Sequence, residues 1–145
     1  MKTPVHILLV EDNAGDILLT KEALQEGKVD IHLSIVEDGD EALKFLHQEF
    51  PFTTAETPDL ILLDINLPKI NGYEVLDHIK KSPQHKHIPV VMLTTSSSPR
   101  DIIQSYNKHA NCYITKPVEL EKFIDAMRSI EDFWCSLVQL PPVCP

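Results

Sequence analysis

Five short apolar runs with β-type side chains recur along the chain, at His6–Val10, Ile31–Val36, Leu60–Leu63, Val90–Leu93 and Asn111–Thr115, with segments of helical character between them. Runs that read as near-continuous Ile, Leu and Val, without polar alternation, describe strands covered on both faces. That arrangement belongs to a parallel sheet sandwiched by helices. The expected fold is therefore α/β, a doubly wound (βα)5 chain with parallel strand order 2-1-3-4-5. A length of 145 residues suits one domain.

Helix starts are marked by a capping side chain followed three residues later by an acid: Asn13 with Asp16, Asp38 with Glu41, Asn71 with Glu74, and Ser98 with Asp101. Pro99 then sits at a natural first-turn position. The last helix places Leu120, Phe123, Ile124, Met127, Ile130 and Trp134 on one stripe at helical period, continuing to Val138 before Pro141 and Pro142 end it. Phe50–Pro58 is a Thr/Pro-rich loop without the marks of a domain boundary. Residues 1–132 are expected to form the domain, and 133–145 a helical extension and tail.

Thirteen basic and twenty-two acidic residues give a net charge of −9, which repels nucleic acid and anionic lipid, so no direct nucleic-acid or membrane partner is expected. Apolar stretches such as Leu60–Leu63 fall far below the ~20 residues that span a bilayer. Met1-Lys2-Thr3-Pro4 has no signal-peptide core, and the expected location is the cytoplasm. Cys112, Cys135 and Cys144 are odd in number and irregular in spacing, as expected of reduced thiols. His85 and His87 read as loop residues, their i, i+2 spacing suiting joint metal ligation poorly.

In an open α/β sheet the functional crevice lies beyond the carboxyl ends of the strands. Here the first strand is followed by Glu11-Asp12, the third by Asp64, the fourth by Thr94-Thr95 and the fifth by Lys116-Pro117. The expected strand order brings these together, and three carboxylates then share a pocket. Two unit charges ~4 Å apart repel by about 4 kcal/mol at an effective dielectric of about 20, so the cluster calls for a cation. An all-oxygen ligand set favours Mg²⁺, with Mn²⁺ able to substitute. A carboxylate nucleophile, a divalent cation, a lysine and a hydroxyl are what phosphoryl transfer to an aspartate requires. Each residue alone would pass as a helix cap, a turn residue or a solvated charge; their joint placement at strand ends argues for a site.

Val10-Glu11-Asp12-Asn13, Leu63-Asp64-Ile65-Asn66-Leu67-Pro68, Gly72, Leu93-Thr94-Thr95 and Tyr113-Ile114-Thr115-Lys116-Pro117 together resemble the receiver domain of two-component response regulators. The resemblance covers about His6 to Ile130 and implies a flavodoxin-like three-layer sandwich. It implies that Asp64 accepts a phosphoryl group from a sensor histidine kinase, and that Glu11, Asp12, Asp64 and the backbone carbonyl of Asn66 hold Mg²⁺. Lys116 would pair with the phosphoryl group, with a cis peptide to Pro117, and Thr94 and Tyr113 would form the switch pair. Thr95 stands where the family often has a smaller residue. The loop before Pro58-Asp59, the run Ser105-Tyr106 with His109–Tyr113, and Ser129–Trp134 running to Leu140-Pro141 are similar to the single-domain regulators paired with phytochromes. That subgroup implies a phytochrome as the kinase.

Two enzyme or carrier readings compete. A haloacid-dehalogenase-type phosphatase would place a second Asp where Asn66 stands, and without it there is no acid/base group. A flavin carrier of the same topology needs a hydroxyl- and glycine-rich phosphate loop where Glu11-Asp12-Asn13 would repel phosphate. Within signalling, a phosphorelay intermediate or phosphate sink for another kinase is the alternative. The chain is expected to catalyse only its own phosphorylation and dephosphorylation. Phe133, Trp134, Leu137, Val138 and Leu140 exceed the apolar surface needed to cover the sheet. They are expected either to form a homodimer interface with helix 4, strand 5 and helix 5, Trp134 at its centre, or to fold back onto the domain.

Overall fold

The computed structural model describes residues 4–25, 30–95, 98–117, 119–137 and 139–141. The expectations for Met1–Thr3, Val138, Pro142 and Cys144, and for the side chain of Leu137, lie outside the described residues.

The chain alternates β1 (Val5–Val10), α1 (Ala14–Gln25), β2 (Ile31–Val36), α2 (Gly39–Leu46), β3 (Leu60–Leu63), α3 (Gly72–Lys81), β4 (Val90–Thr94), α4 (Pro99–Asn107), β5 (Cys112–Thr115) and α5 (Leu120–Ile130). All four strand pairings are parallel and the order is β2-β1-β3-β4-β5, as the apolar runs predict. Each central strand is apolar on both sides because alternate residues enter different cores. Leu8, Val10, Ile61, Leu63, Val90 and Met92 meet Ala42 and Phe45 of α2 and Val75, Leu76 and Ile79 of α3. Ile7, Leu9, Leu60, Leu62, Val91 and Leu93 meet α1 and α5 through Ala23, Leu24, Phe123, Met127 and Ile130.

Three of the four predicted caps close: Asp16, Glu41 and Glu74 donate their N–H groups to Asn13 (3.0 Å), Asp38 (2.7 Å) and Asn71 (3.0 Å) side chains. At α4 the Ser98 side chain makes no cap hydrogen bond. Preceding Pro99, its backbone is held at ψ 130°, against 169° at Asp38 and 167° at Asn71, which alters the direction of its side chain. The Lys116–Pro117 peptide, for which the resemblance implies cis, is a second departure: among the described residues the cis bond is Phe50–Pro51. Trans is the lower-energy X–Pro form, and Lys116 keeps register with β4 by donating its N–H to the Thr94 carbonyl at 2.6 Å.

The stripe on the last helix needs one correction. Leu120, in the first turn of α5, is 54% exposed, while Phe123, Met127 and Ile130 further along reach the core. Beyond Ile130 the chain widens into a π-helical turn, Glu131–Leu137. This turn lays Trp134 and Cys135 against the α1–α5 core and leaves Phe133 47% exposed.

Between β3 and α3 the chain doubles back so tightly that Gly72 donates its N–H to the Ile65 carbonyl at 2.8 Å. A Cβ on Gly72 would lie 2.2 Å from the Asp64 carbonyl oxygen and 2.7 Å from the Ile65 Cα, backbone atoms that cannot swing aside. Gly72→Ala is therefore expected to cost about 3 kcal/mol of unfolding free energy by urea denaturation, the upper end for overpacking. A loss below about 0.5 kcal/mol, as at an ordinary surface site, would contradict this packing.

Candidate functional site

The carboxyl ends of β1, β3 and β5 deliver their polar side chains to one crevice because backbone ladders continue one residue past the strands. Glu11 donates its N–H to the Val36 carbonyl and Asp64 to the Val10 carbonyl, each at 3.1 Å. Glu11 is 2% exposed, Asp64 7%, and Asp12 is exposed beside them. One oxygen from each of these three carboxylates lies within 4.8 Å of the others. Backbone donors orient two of them: Asn13 N–H reaches Glu11 Oε1 at 3.1 Å, and Asn66 N–H reaches Asp64 Oδ1 at 3.2 Å.

Lys116, itself 6% exposed, inserts its ammonium into this group. Its Nζ donates to Glu11 Oε2 at 2.5 Å, Asp16 Oδ2 at 3.0 Å and Asp64 Oδ2 at 3.2 Å. Burial alone would depress the Lys116 pKa; the hydrogen bond to Glu11 and the charges of Asp64 and Glu11 outweigh it and raise the pKa. Glu11 is pushed up to about 7, first by burial and further by the Asp64 charge, with the Lys116 hydrogen bond opposing. One ammonium among Glu11, Asp12, Asp16 and Asp64 leaves a formal excess of three negative charges when all are ionised.

That excess, with donors that are all oxygen, fits a hard divalent cation of the Mg²⁺ or Mn²⁺ type. Asp12 and Asn66 line the same open crevice, which leaves room for the water ligands that Mg²⁺ retains. Glu11, Asp12 and Asp64 would hold the ion.

Thr94 ends β4 fully buried. The β3–β4 register pairs Leu63 with Met92, so Asp64 continues beside Leu93 and Thr94 stands one residue further on. Tyr113 pairs with Met92, two residues before Thr94 on the same face of the sheet, and is partly buried against the α2–α3 core. Both members of the expected switch pair thus occupy one side of β4 and β5. Phe133 and Trp134 stand edge to face, ring centroids 5.3 Å apart, away from this crevice.

Sequence reasoning missed two members of the neighbourhood. Asp16 reads as the acid of the Asn13 cap, which accounts for its backbone and hides its side chain's bond to Lys116. Its position in the first turn after β1, facing the strand ends, is the signal that could have revealed it. Tyr73, next to Gly72, donates its hydroxyl to the Asp101 carbonyl at 3.2 Å and ties α3 to α4 across the crevice rim.

Residues 7–128 match the family described as response regulator receiver domain. Among curated proteins, the chain is 46% identical over 138 residues to response regulator Rcp1 of Synechocystis sp., covering 95% of this chain and 94% of Rcp1. Among solved structures, it resembles the Mn²⁺-bound form of Rcp1 with a TM-score of 0.93 and 46% identity, covering 96% of this chain and all of the other. It also resembles the phosphorylated cyanobacterial phytochrome response regulator RcpA with a TM-score of 0.94 and 48% identity, covering 97% and 100%. A family match across most of the chain and a curated relative at this identity agree: the chain belongs to the response regulator receiver family.

Proposed function

We propose that the protein is a single-domain response regulator of the cytoplasm that takes a phosphoryl group from a sensor histidine kinase, a phytochrome, onto Asp64 and signals through protein–protein contacts. The observation that carries this reading is the Lys116 ammonium shared by Glu11, Asp16 and the phosphoacceptor carboxylate of Asp64. The likeness to RcpA, a phytochrome response regulator in phosphorylated form, supports the choice of donor.

In the transfer an Asp64 carboxylate oxygen forms a bond to phosphorus while the bond from phosphorus to the donor nitrogen breaks, giving an acyl phosphate. A divalent cation bound by Glu11, Asp12, Asp64 and the Asn66 carbonyl supplies charge neutralisation for the phosphoryl oxygens; the Mn²⁺-bound form of Rcp1 supports Mg²⁺ or Mn²⁺ in that role. Asn66 N–H orients the acceptor carboxylate, and Lys116 passes from a carboxylate partner to a phosphoryl oxygen. Thr94 then closes on the phosphoryl group, and Tyr113 turns inward on the same face of the sheet. The chain catalyses its own phosphorylation and dephosphorylation and no other reaction.

The switched surface lies around the edge strand β5. Tyr106 on α4, Leu120 on α5 and Phe133 beyond it are 49%, 54% and 47% exposed. The protein pairs with a second copy through α4, β5, α5 and the tail. In that interface Phe133 makes the outer contact, backed edge-on by Trp134, whose ring rests on its own core.

Asp64→Asn is expected to abolish labelling by acetyl phosphate while the fold persists, because the amide has no anionic oxygen to attack phosphorus; labelling of the wild type should also collapse with chelator and return with Mg²⁺ or Mn²⁺. Intact mass spectrometry reads both, and a variant that still gains one phosphoryl group at the wild-type rate would overturn Asp64 as acceptor. For the pair at the tail, Phe133→Ala is expected to weaken self-association in sedimentation without changing stability. Trp134→Ala should lower unfolding free energy on the order of 2 kcal/mol, below the range for a fully buried tryptophan. A wild type that stays monomeric at tens of micromolar, with and without phosphorylation, would refute the dimer.

A further inference from the structure

Near the end of the sheet remote from Asp64, His47, His78 and His85 bring their rings together between α2 and α3. In a βα unit the helix C-terminus returns to the amino ends of the strands, and there α2 ends with His47 as its cap residue while α3 carries His78 in its last turn. Their Nε2 atoms face each other at 2.7 Å, the rings edge to face with centroids 5.0 Å apart. At that separation one Nε2 carries the proton that the other accepts. Both side chains are exposed, so the gap between the two helices is open to ions from solvent.

His85 has a different role. It is buried, its Nδ1 lies 3.1 Å from Ser82 Oγ, its ring also bonds the Leu46 carbonyl, and it packs edge to face on His47 at 5.3 Å. Burial, then the neighbouring His47, lowers its pKa and keeps it neutral. It braces the His47 ring and is not a ligand.

We propose that His47 and His78 form a binding site for a borderline transition-metal dication, with Zn²⁺ as the type case and water completing the coordination. Imidazole nitrogen suits this class of ion, whereas Mg²⁺ prefers the oxygen cluster at the other end of the sheet. The ring protonated on Nε2 moves that proton to Nδ1 through solvent, and the two Nε2 lone pairs then converge on the metal with no net proton uptake or release. Tetrahedral geometry at the usual Zn–N length sets the two nitrogens roughly 3.3 Å apart, a small widening from 2.7 Å that exposed side chains accommodate by rotation. The electrostatics agree. The C-terminal ends of two helices converge here with their partial negative charge, and Asp77 pairs with two ammonium groups that line the same crevice, Lys81 at 2.9 Å and Lys108 at 3.8 Å.

The test is calorimetric titration of Zn²⁺ into untagged full-length protein in excess Mg²⁺, which fills the carboxylate cluster, for wild type, His47→Ala, His78→Ala and Asp12→Ala. One equivalent of Zn²⁺ should bind the wild type and Asp12→Ala alike. Each histidine variant should bind at least about tenfold more weakly, as loss of a ligand is worth no less than loss of a supporting partner. The thermal midpoint should rise with Zn²⁺ in the wild type and stay put in the histidine variants, since the metal clamps α2 to α3. No binding, binding unchanged in both histidine variants, or binding lost in Asp12→Ala alone would overturn the site.

Discussion

A single buried ammonium holds the functional end of this protein together. Lys116 reaches from beyond β5 across the ends of β4, β3 and β1 to contact Asp64, Glu11 and Asp16, so it ties the first strand–helix unit to the last strand. Burying Glu11 and Asp64 as anions is costly without a counter-charge. Lys116 meets that requirement in part and leaves the crevice still negative. The same imbalance makes the site receptive to a divalent cation.

The rest of the architecture serves this juxtaposition. Parallel strands with two apolar faces fix the register of β1, β3 and β4, so that Glu11 and Asp64 emerge side by side although 52 positions separate Asp12 from Asp64. Gly72 lets α3 start directly against the Asp64 carbonyl, which holds the loop after β3 close to the sheet. Thr94 and Tyr113 share one face of the edge of the sheet, where α4 buries little beyond Ser105. A loosely seated α4 next to the crevice is the element best placed to move, because few packed contacts oppose its displacement.

Much of this was legible in the sequence because it rests on local rules. Five apolar runs gave the sheet, cap pairs gave the starts of α1, α2 and α3, and strand-end position alone grouped Glu11, Asp12, Asp64 and Lys116. What escaped depends on tertiary direction. Asp16 satisfied a local cap rule while its side chain served Lys116, and Leu120 matched the helical stripe although the first turn of α5 leaves it exposed. Phe133 and Trp134 are adjacent and equally apolar, yet the π-helical turn sends one outward and the other onto the core. His47 and His78 are 31 residues apart, and only the packing of α2 on α3 brings their rings together.

The central claim is that Lys116 stands in for part of the charge that a divalent cation supplies. It is tested most directly by thermal and urea unfolding of Lys116→Met against wild type, each with chelator and with saturating Mg²⁺. Without metal the variant should lose about 3 kcal/mol, the cost of leaving buried carboxylates without their partner. Mg²⁺ should then stabilise the variant more than the wild type, because no ammonium competes for Glu11 and Asp64. A Lys116→Met protein as stable as wild type without metal, or one that gains nothing from Mg²⁺, would contradict the account.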